Sequence, residues 1–139
     1  MKNSILIRFG TPKHGWLPVI FHHRNFHLDF GASDALNDPI DELFEAVTQE
    51  KGLKRITWWL EPEAYFFDVE KNGENVILKI YEMEDIHDEN ETEKLIAEIV
   101  GNEKDIIEPI LNALKQFSSN DYEENHWPYK LEKGSWKIN

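Results

Sequence analysis

The sequence predicts an α+β fold: a mostly antiparallel sheet of about six or seven strands with two packed helices, in a single domain. Three observations carry that reading. From Arg55 to Glu82 the chain passes through three β-branched and aromatic segments, Arg55–Leu60, Tyr65–Glu70 and Asn75–Glu82, divided by turn signals at Glu61–Ala64 and Lys71–Glu74. Phe26, Leu28 and Phe30 alternate with His27 and Asp29, the period of a strand with one solvated face. Two other stretches, Asp38–Lys51 and Glu103–Phe117, place their apolar residues at helical spacing.

Taken in order, Ser4–Phe9 alternates weakly and reads as a first strand, and Gly10–Gly15 is a loop rich in breakers. Trp16–His22 reads as a second strand. Pro18 lies inside it, and proline cannot donate to a ladder, so this strand is expected at an edge or with a bulge. His23–Asn25 is a turn into the third strand, and Gly31–Asn37 a loop. Asp38 then caps a helix with Pro39 at its first position and Asp41 and Glu42 in its first turn. Ile40, Leu43, Phe44 and Val47 form its apolar stripe, and Gly52 is expected just past its end.

In the central meander, Asn72-Gly73 predicts a type I′ turn, because both central residues of that turn need positive φ. Pro62 suits the first central position of the other turn. Glu82–Glu93 is a highly acidic connection. Lys94–Val100 fits helical spacing but is short and closed by Gly101-Asn102; it is read as a strand pairing back on Asn75–Glu82. The second helix follows, with Pro109 in its early turns, where the missing N–H costs least. Ser118–Asn125 is polar. Trp127–Leu131 is too aromatic to be free and is expected to dock on the domain.

The chain has 139 residues, enough to bury a core without staples, and no cysteine. Its start is interrupted by Arg8 after three apolar residues, unlike a signal peptide, and no apolar run approaches the length of a membrane span. A soluble cytoplasmic protein is expected. The 27 acidic residues against 15 basic ones give a formal charge of −12, which repels nucleic acid and anionic membranes and draws basic partners.

Patterns that would carry catalysis are weak. His22, His23 and His27 flank a short turn, but adjacent strand residues point to opposite faces, so convergent metal ligation is not expected. Glu61 and Glu63 bracket Pro62 beside aromatic rings, yet a tight turn does not supply the opposed carboxyls of a glycosidase. There is no P-loop, no dinucleotide fingerprint and no nucleophile elbow. No catalytic residue, cofactor or metal site is assigned.

His14–Val19, Trp59–Tyr65 and His126–Tyr129 resemble a family of small uncharacterised bacterial α+β proteins. Some of these are similar to immunity proteins of contact-dependent or polymorphic toxin systems. The resemblance implies neutralising binding to a toxin and carries no catalytic residue. The expected function is therefore non-enzymatic binding of a basic protein partner such as a toxin domain. Trp59, Tyr65 and Trp127 are its aromatic anchors, and Glu61, Glu63, Glu84, Asp85, Asp88 and Glu89 its steering charges. The alternatives are a small-molecule or peptide-binding module, or an enzyme with a carboxylate or histidine site.

Overall fold

The computed structural model describes residues 3–120 and 122–129. In chain order they form β1 (Leu6–Phe9), β2 (Trp16–His23), β3 (Phe26–Ser33), α1 (Pro39–Thr48), β4 (Gly52–Trp59), β5 (Ala64–Asn72), β6 (Asn75–Met83) and β7 (Lys94–Asn102). A wide π-type turn at Glu103–Ile107 then leads into α2 (Glu108–Ser118). The α+β class holds, every strand pairing is antiparallel, and Lys94–Asn102 is a strand that pairs back on β6. The single sheet does not hold. The strands divide into β1-β2-β3 and β4-β5-β6-β7.

The division has a local cause. The outward edge of β4 is occupied by side chains from the start of α1. The Thr57 N–H donates to Glu42 Oε1 at 2.9 Å, and the Thr57 carbonyl accepts from Asn37 Nδ2 at 2.8 Å. With both groups of Thr57 satisfied, a neighbouring strand cannot pair with β4 there. The two sheets meet through side chains instead. Phe21 packs edge-on against Phe67 with centroids 5.4 Å apart, and Phe30 packs against Trp58 at 5.8 Å. One apolar cluster takes in both inner faces and both helices, including Leu17, Val19 and Phe21 of β2, Trp58 of β4, Leu78 and Ile80 of β6, Leu43 of α1 and Leu114 of α2. Each such large side chain, fully buried, contributes roughly 1.5–3 kcal/mol.

Pro18 lies in the central strand of its sheet, not at an edge. It is tolerated because its carbonyl accepts from the Gly10 N–H at 2.9 Å, just beyond the last β1–β2 pair, Phe9–Val19. A residue's N and O point to the same edge of a strand, so the missing donor faces the place where β1 has ended and costs no bond to β3. Gly10 is required there: a Cβ would lie 2.9 Å from Pro18 Cβ.

The helices follow their sequence signals. The Asp38 side chain caps α1 by accepting from the Asp41 N–H at 3.3 Å, and Ile40, Leu43, Phe44 and Val47 are buried. Gly52 is not the residue that ends this helix. The helix stops at Thr48, and Gly52, at φ +110°, opens β4. Asn102 and Asp105 form a reciprocal capping box ahead of α2. An α-helical N–H at 109 would have bonded the Asp105 carbonyl, but Pro109 has none. That carbonyl accepts from Ile5 N–H at 2.9 Å instead, which ties the start of the chain to the start of α2.

Both turns of the meander are shifted by one residue from expectation. The β5–β6 pairing ends at Asn72–Asn75, so the central residues are Gly73 and Glu74. Only Gly73 has positive φ (+67°), which fits a type II′ turn rather than I′. In the β4–β5 turn Pro62 takes the second central position, after a cis bond, and the Leu60 N–H donates to the Glu63 carbonyl at 2.7 Å. The strand β3 also runs on to Ser33, shortening the predicted loop.

The terminal aromatic segment docks as predicted. Trp127 is 1% exposed, and the Tyr129 hydroxyl donates to the Asp34 carbonyl at 2.8 Å. Lys130 and Leu131, and the acidic Asp121, lie outside the described residues.

Candidate functional site

The β4–β5 turn and the β6–β7 connection leave the same end of the four-stranded sheet. They are stitched together where Ile86 N–H donates to the Pro62 carbonyl at 2.9 Å. This brings two acidic stretches, separated in sequence by the β5–β6 hairpin, together around one cleft of about 220 Å³. Glu63, Glu82 and Glu84 line it with Tyr65, over a floor of Leu60, Ala64 and Met83. Glu61 lies at the exposed tip of the turn with φ +65°, a left-handed conformation that costs a non-glycine residue about 1–2 kcal/mol.

The field at this end is visible in Tyr65. Burial, then the charges of Glu82 and Glu63, push its phenol above the usual range. Tyr65 therefore stays a neutral donor, half-buried, with its ring 4.9 Å from Phe30. A guest cation would meet carboxylates around an aromatic wall, the combination that holds ammonium and guanidinium groups.

The acidic connection is built rather than loose. Asp85 Oδ1 accepts from the His87 N–H at 2.8 Å, and Asp88 Oδ1 accepts from the Asn90 N–H at 2.9 Å. Glu91 Oε2 accepts from the backbone N–H groups of both Glu84 and Asp85. Asp85 and Asp88 thus spend part of their hydrogen-bonding capacity on the loop's own turns, as short acidic side chains in turns do. Glu84 and Glu89 are exposed.

Of the nine residues singled out from sequence, eight belong to this end: Trp59, Glu61, Glu63, Tyr65, Glu84, Asp85, Asp88 and Glu89. Trp59 is not presented to solvent. It is 8% exposed, and its indole meets the edge of His87 with centroids 6.2 Å apart, so it supports the loop from beneath. Trp127 is a core residue on a different part of the molecule and is likewise closed to a partner, since its ring packs on Tyr129. Tyr65 is the one predicted anchor with surface to offer.

Sequence reasoning missed the network beside this end. Arg55 makes two bonds to Asp68 at 2.7 and 3.0 Å and two to Glu93 at 2.7 and 2.5 Å. Its guanidinium lies over the rings of Phe66 (4.6 Å) and Tyr81 (5.3 Å). The paired carboxylates hold Arg55 charged, and Arg55 in turn holds the Glu93 carboxyl below its ordinary range. The signal lay in hairpin counting: with Trp59 opposite Ala64, Arg55 falls opposite Asp68. Together with exposed Leu53 these side chains form the outer face of the sheet.

The histidines fall into separate pairs. His22 and His27 face each other across the β2–β3 hairpin with ring centroids 5.5 Å apart, while His23 shares a hydrogen bond with Asn3 at 3.1 Å. Among the described residues no three His, Asp or Glu side chains converge as metal ligands. No helix among them is long and apolar enough to cross a membrane.

Set against protein-family models, curated proteins and solved structures, the chain matches none.

Proposed function

We propose that this chain is a non-enzymatic binding protein that engages a basic protein partner in the cytoplasm, in the manner of an immunity protein occluding a toxin domain. The observation that carries the reading is the convergence of Glu63, Glu82 and Glu84 around Tyr65, with Glu61 and the acidic 85–91 connection at the same end of the sheet. Such a surface does two things for a protein whose task is to cover a basic face. It raises the encounter rate, and it rejects nucleic acid, the commonest competitor for that face. The hydrogen-bonded loop and the buried Trp59 beneath it favour a preorganised surface, which lowers the ordering cost of binding.

The experiment uses the intact protein as bait in lysate of its own source, at low and raised salt, and identifies what is retained. The association rate of the retained protein is then measured with Glu84→Gln, Asp85→Asn, Asp88→Asn and Glu89→Gln combined. A basic protein should be captured at low salt, and its on-rate should fall roughly tenfold or more with salt and with the four changes. If nothing basic is retained, or if capture ignores both salt and neutralisation, the proposal fails.

A further inference from the structure

The four-stranded sheet ends at β7, and among the described residues no strand pairs with the outer side of β7. The direction of its groups can be read off one bond. The Val100 carbonyl accepts from Asn3 Nδ2 at 3.0 Å, from outside the sheet. Val100 therefore points outward, and so does every second residue, including Glu98 and Asn102. The Asn102 N–H is closed by Asp105 Oδ2 at 3.3 Å. The N–H and carbonyl of Glu98 face solvent. The end of this edge near Asn102 is capped, and among the described residues nothing pairs with its middle.

The side chains beside the open part follow a pattern. Leu95 (46% exposed) and Val100 (58% exposed) are apolar, and the exposed Glu98 lies between them on the outer face, in register with Lys79 of β6. Leu95 and Val100 lie five residues apart and share this face because the register shifts between Ile80 and Tyr81; exposed apolar residues along a free edge are what an added strand would cover. A second copy of the chain is a poor occupant. Glu98 is the central residue of β7, so antiparallel self-pairing about it would set Glu98 opposite Glu98, and each copy carries a formal charge of −12. The same carboxylate favours a lysine or arginine in that place.

We infer that the open edge of β7 receives an extended basic segment of a partner as a fifth strand, with apolar side chains over Leu95 and Val100 and a cation opposite Glu98. The inference rests on the basic-partner reading but places the main-chain contacts at β7, beside the acidic end rather than within it.

The probe is a labelled peptide of the length of β7 that carries, on one face, a lysine at the position opposite Glu98 and valines two residues to either side, with threonines between; it is titrated into the full chain and followed by anisotropy and by amide hydrogen exchange. The peptide should bind, and exchange at Glu98 should slow. Glu98→Pro removes the outward donor together with the carboxylate, leaves the β6 ladder intact, and should weaken binding by about tenfold or more beyond the loss seen in Glu98→Gln, which keeps the donor. Glu98→Lys keeps the donor, and should weaken the lysine peptide while admitting a valine–glutamate one. The inference is overturned by no peptide binding at low salt, by unchanged exchange at Glu98 on binding, or by a Glu98→Pro protein that keeps its melting temperature and binds as before. If neutralising Glu84, Asp85, Asp88 and Glu89 abolishes binding while Glu98→Pro does not, the acidic end stands and the edge falls. If Glu98→Pro alone abolishes it, the edge stands and the acidic end falls. A dimer appearing with concentration, and lost on Glu98→Pro, would name a second copy as the occupant and also overturn the inference.

Discussion

The two edges of the four-stranded sheet are handled in opposite ways. At β4, Glu42 of α1 and Asn37 of the loop before it take both outward groups of Thr57. At β7, side chains close only the end near Asn102, and a charged residue guards the middle. Both edges avoid the hazard of an unprotected strand, but by different physics. At Thr57 the β4 edge is closed on both its donor and its acceptor, by side chains of the fold itself. The β7 edge is defended only against a strand of the wrong charge, so it remains selective. The acidic turn and connection lie between these two edges, and the Arg55 network runs across the outer face from β4 to the residue just before β7.

The largest effect is expected from opening the β4 edge at Thr57. Glu42 Oε1 accepts from both Thr57 N–H and Asn37 Nδ2, at 2.9 and 3.0 Å. Glu42→Ala strands a partly buried donor and should cost about 1–3 kcal/mol in chemical denaturation. Glu42→Gln keeps an acceptor and should lose less. Equal stability of Glu42→Ala and the parent would mean that α1 covers β4 by packing alone.

This edge also shows where sequence reading stops. The start of α1 was legible in full, because Asp38-Pro39 with Asp41 and Glu42 is a local signal and the cap forms as expected. That Glu42 and Asn37 also close β4 was not legible, since it depends on how α1 returns onto a strand that begins four residues after it ends. The split into two sheets, with β4 closed at Thr57 rather than paired, was missed with it. At the site the same division holds. The acidic stretches were visible as composition, but their convergence came from the Ile86–Pro62 hydrogen bond, which no periodicity announces. Trp59 and Trp127 were misjudged as surface anchors because residue type gives no depth. Trp59 lies under the connection and Trp127 in the core.

A second, smaller difference between the two sides is expected in their response to pH. At the start of α1, burial pushes the Asp38 carboxyl up from 3.8 to about 6, against the lowering effect of its bond from Asp41 N–H. A carboxyl with a raised folded pKa favours the fold while protonated. Its contribution is complete below its unfolded value and is lost as pH rises through about 6. Near β7 the sign reverses. The hydrogen bonds from Arg55 lower Glu93 from 4.5, so its contribution is present above that value and is lost as pH falls below it. Asp38→Asn keeps a good cap and should flatten the loss of stability between about pH 4 and 6. Glu93→Gln should instead flatten the loss in more acid solution. Denaturation midpoints across pH read both, and a parent profile that Asp38→Asn leaves unaltered would count against the burial of Asp38 as its cause.

The smallest effects belong to the open edge. Asn3→Ala removes the donor that closes the Val100 carbonyl and also the acceptor shared by His23 and Arg24, so a loss of about 0.5–1.5 kcal/mol is expected. Glu98→Gln should change stability by no more than about 0.5 kcal/mol. Glu98 is exposed and lies in register with Lys79, yet no ion pair joins them among the described residues. Its charge therefore does little for the fold itself, which distinguishes it from Glu42 at the opposite edge. What Glu98→Gln should change is the self-association of the chain, because the like-charge clash at the centre of a β7–β7 pairing is removed while every backbone group is kept. Sedimentation across a concentration series would then show more dimer in Glu98→Gln than in the parent. A substantial loss of stability without any gain in association would make Glu98 a structural residue, and the two edges would then differ in geometry but not in purpose.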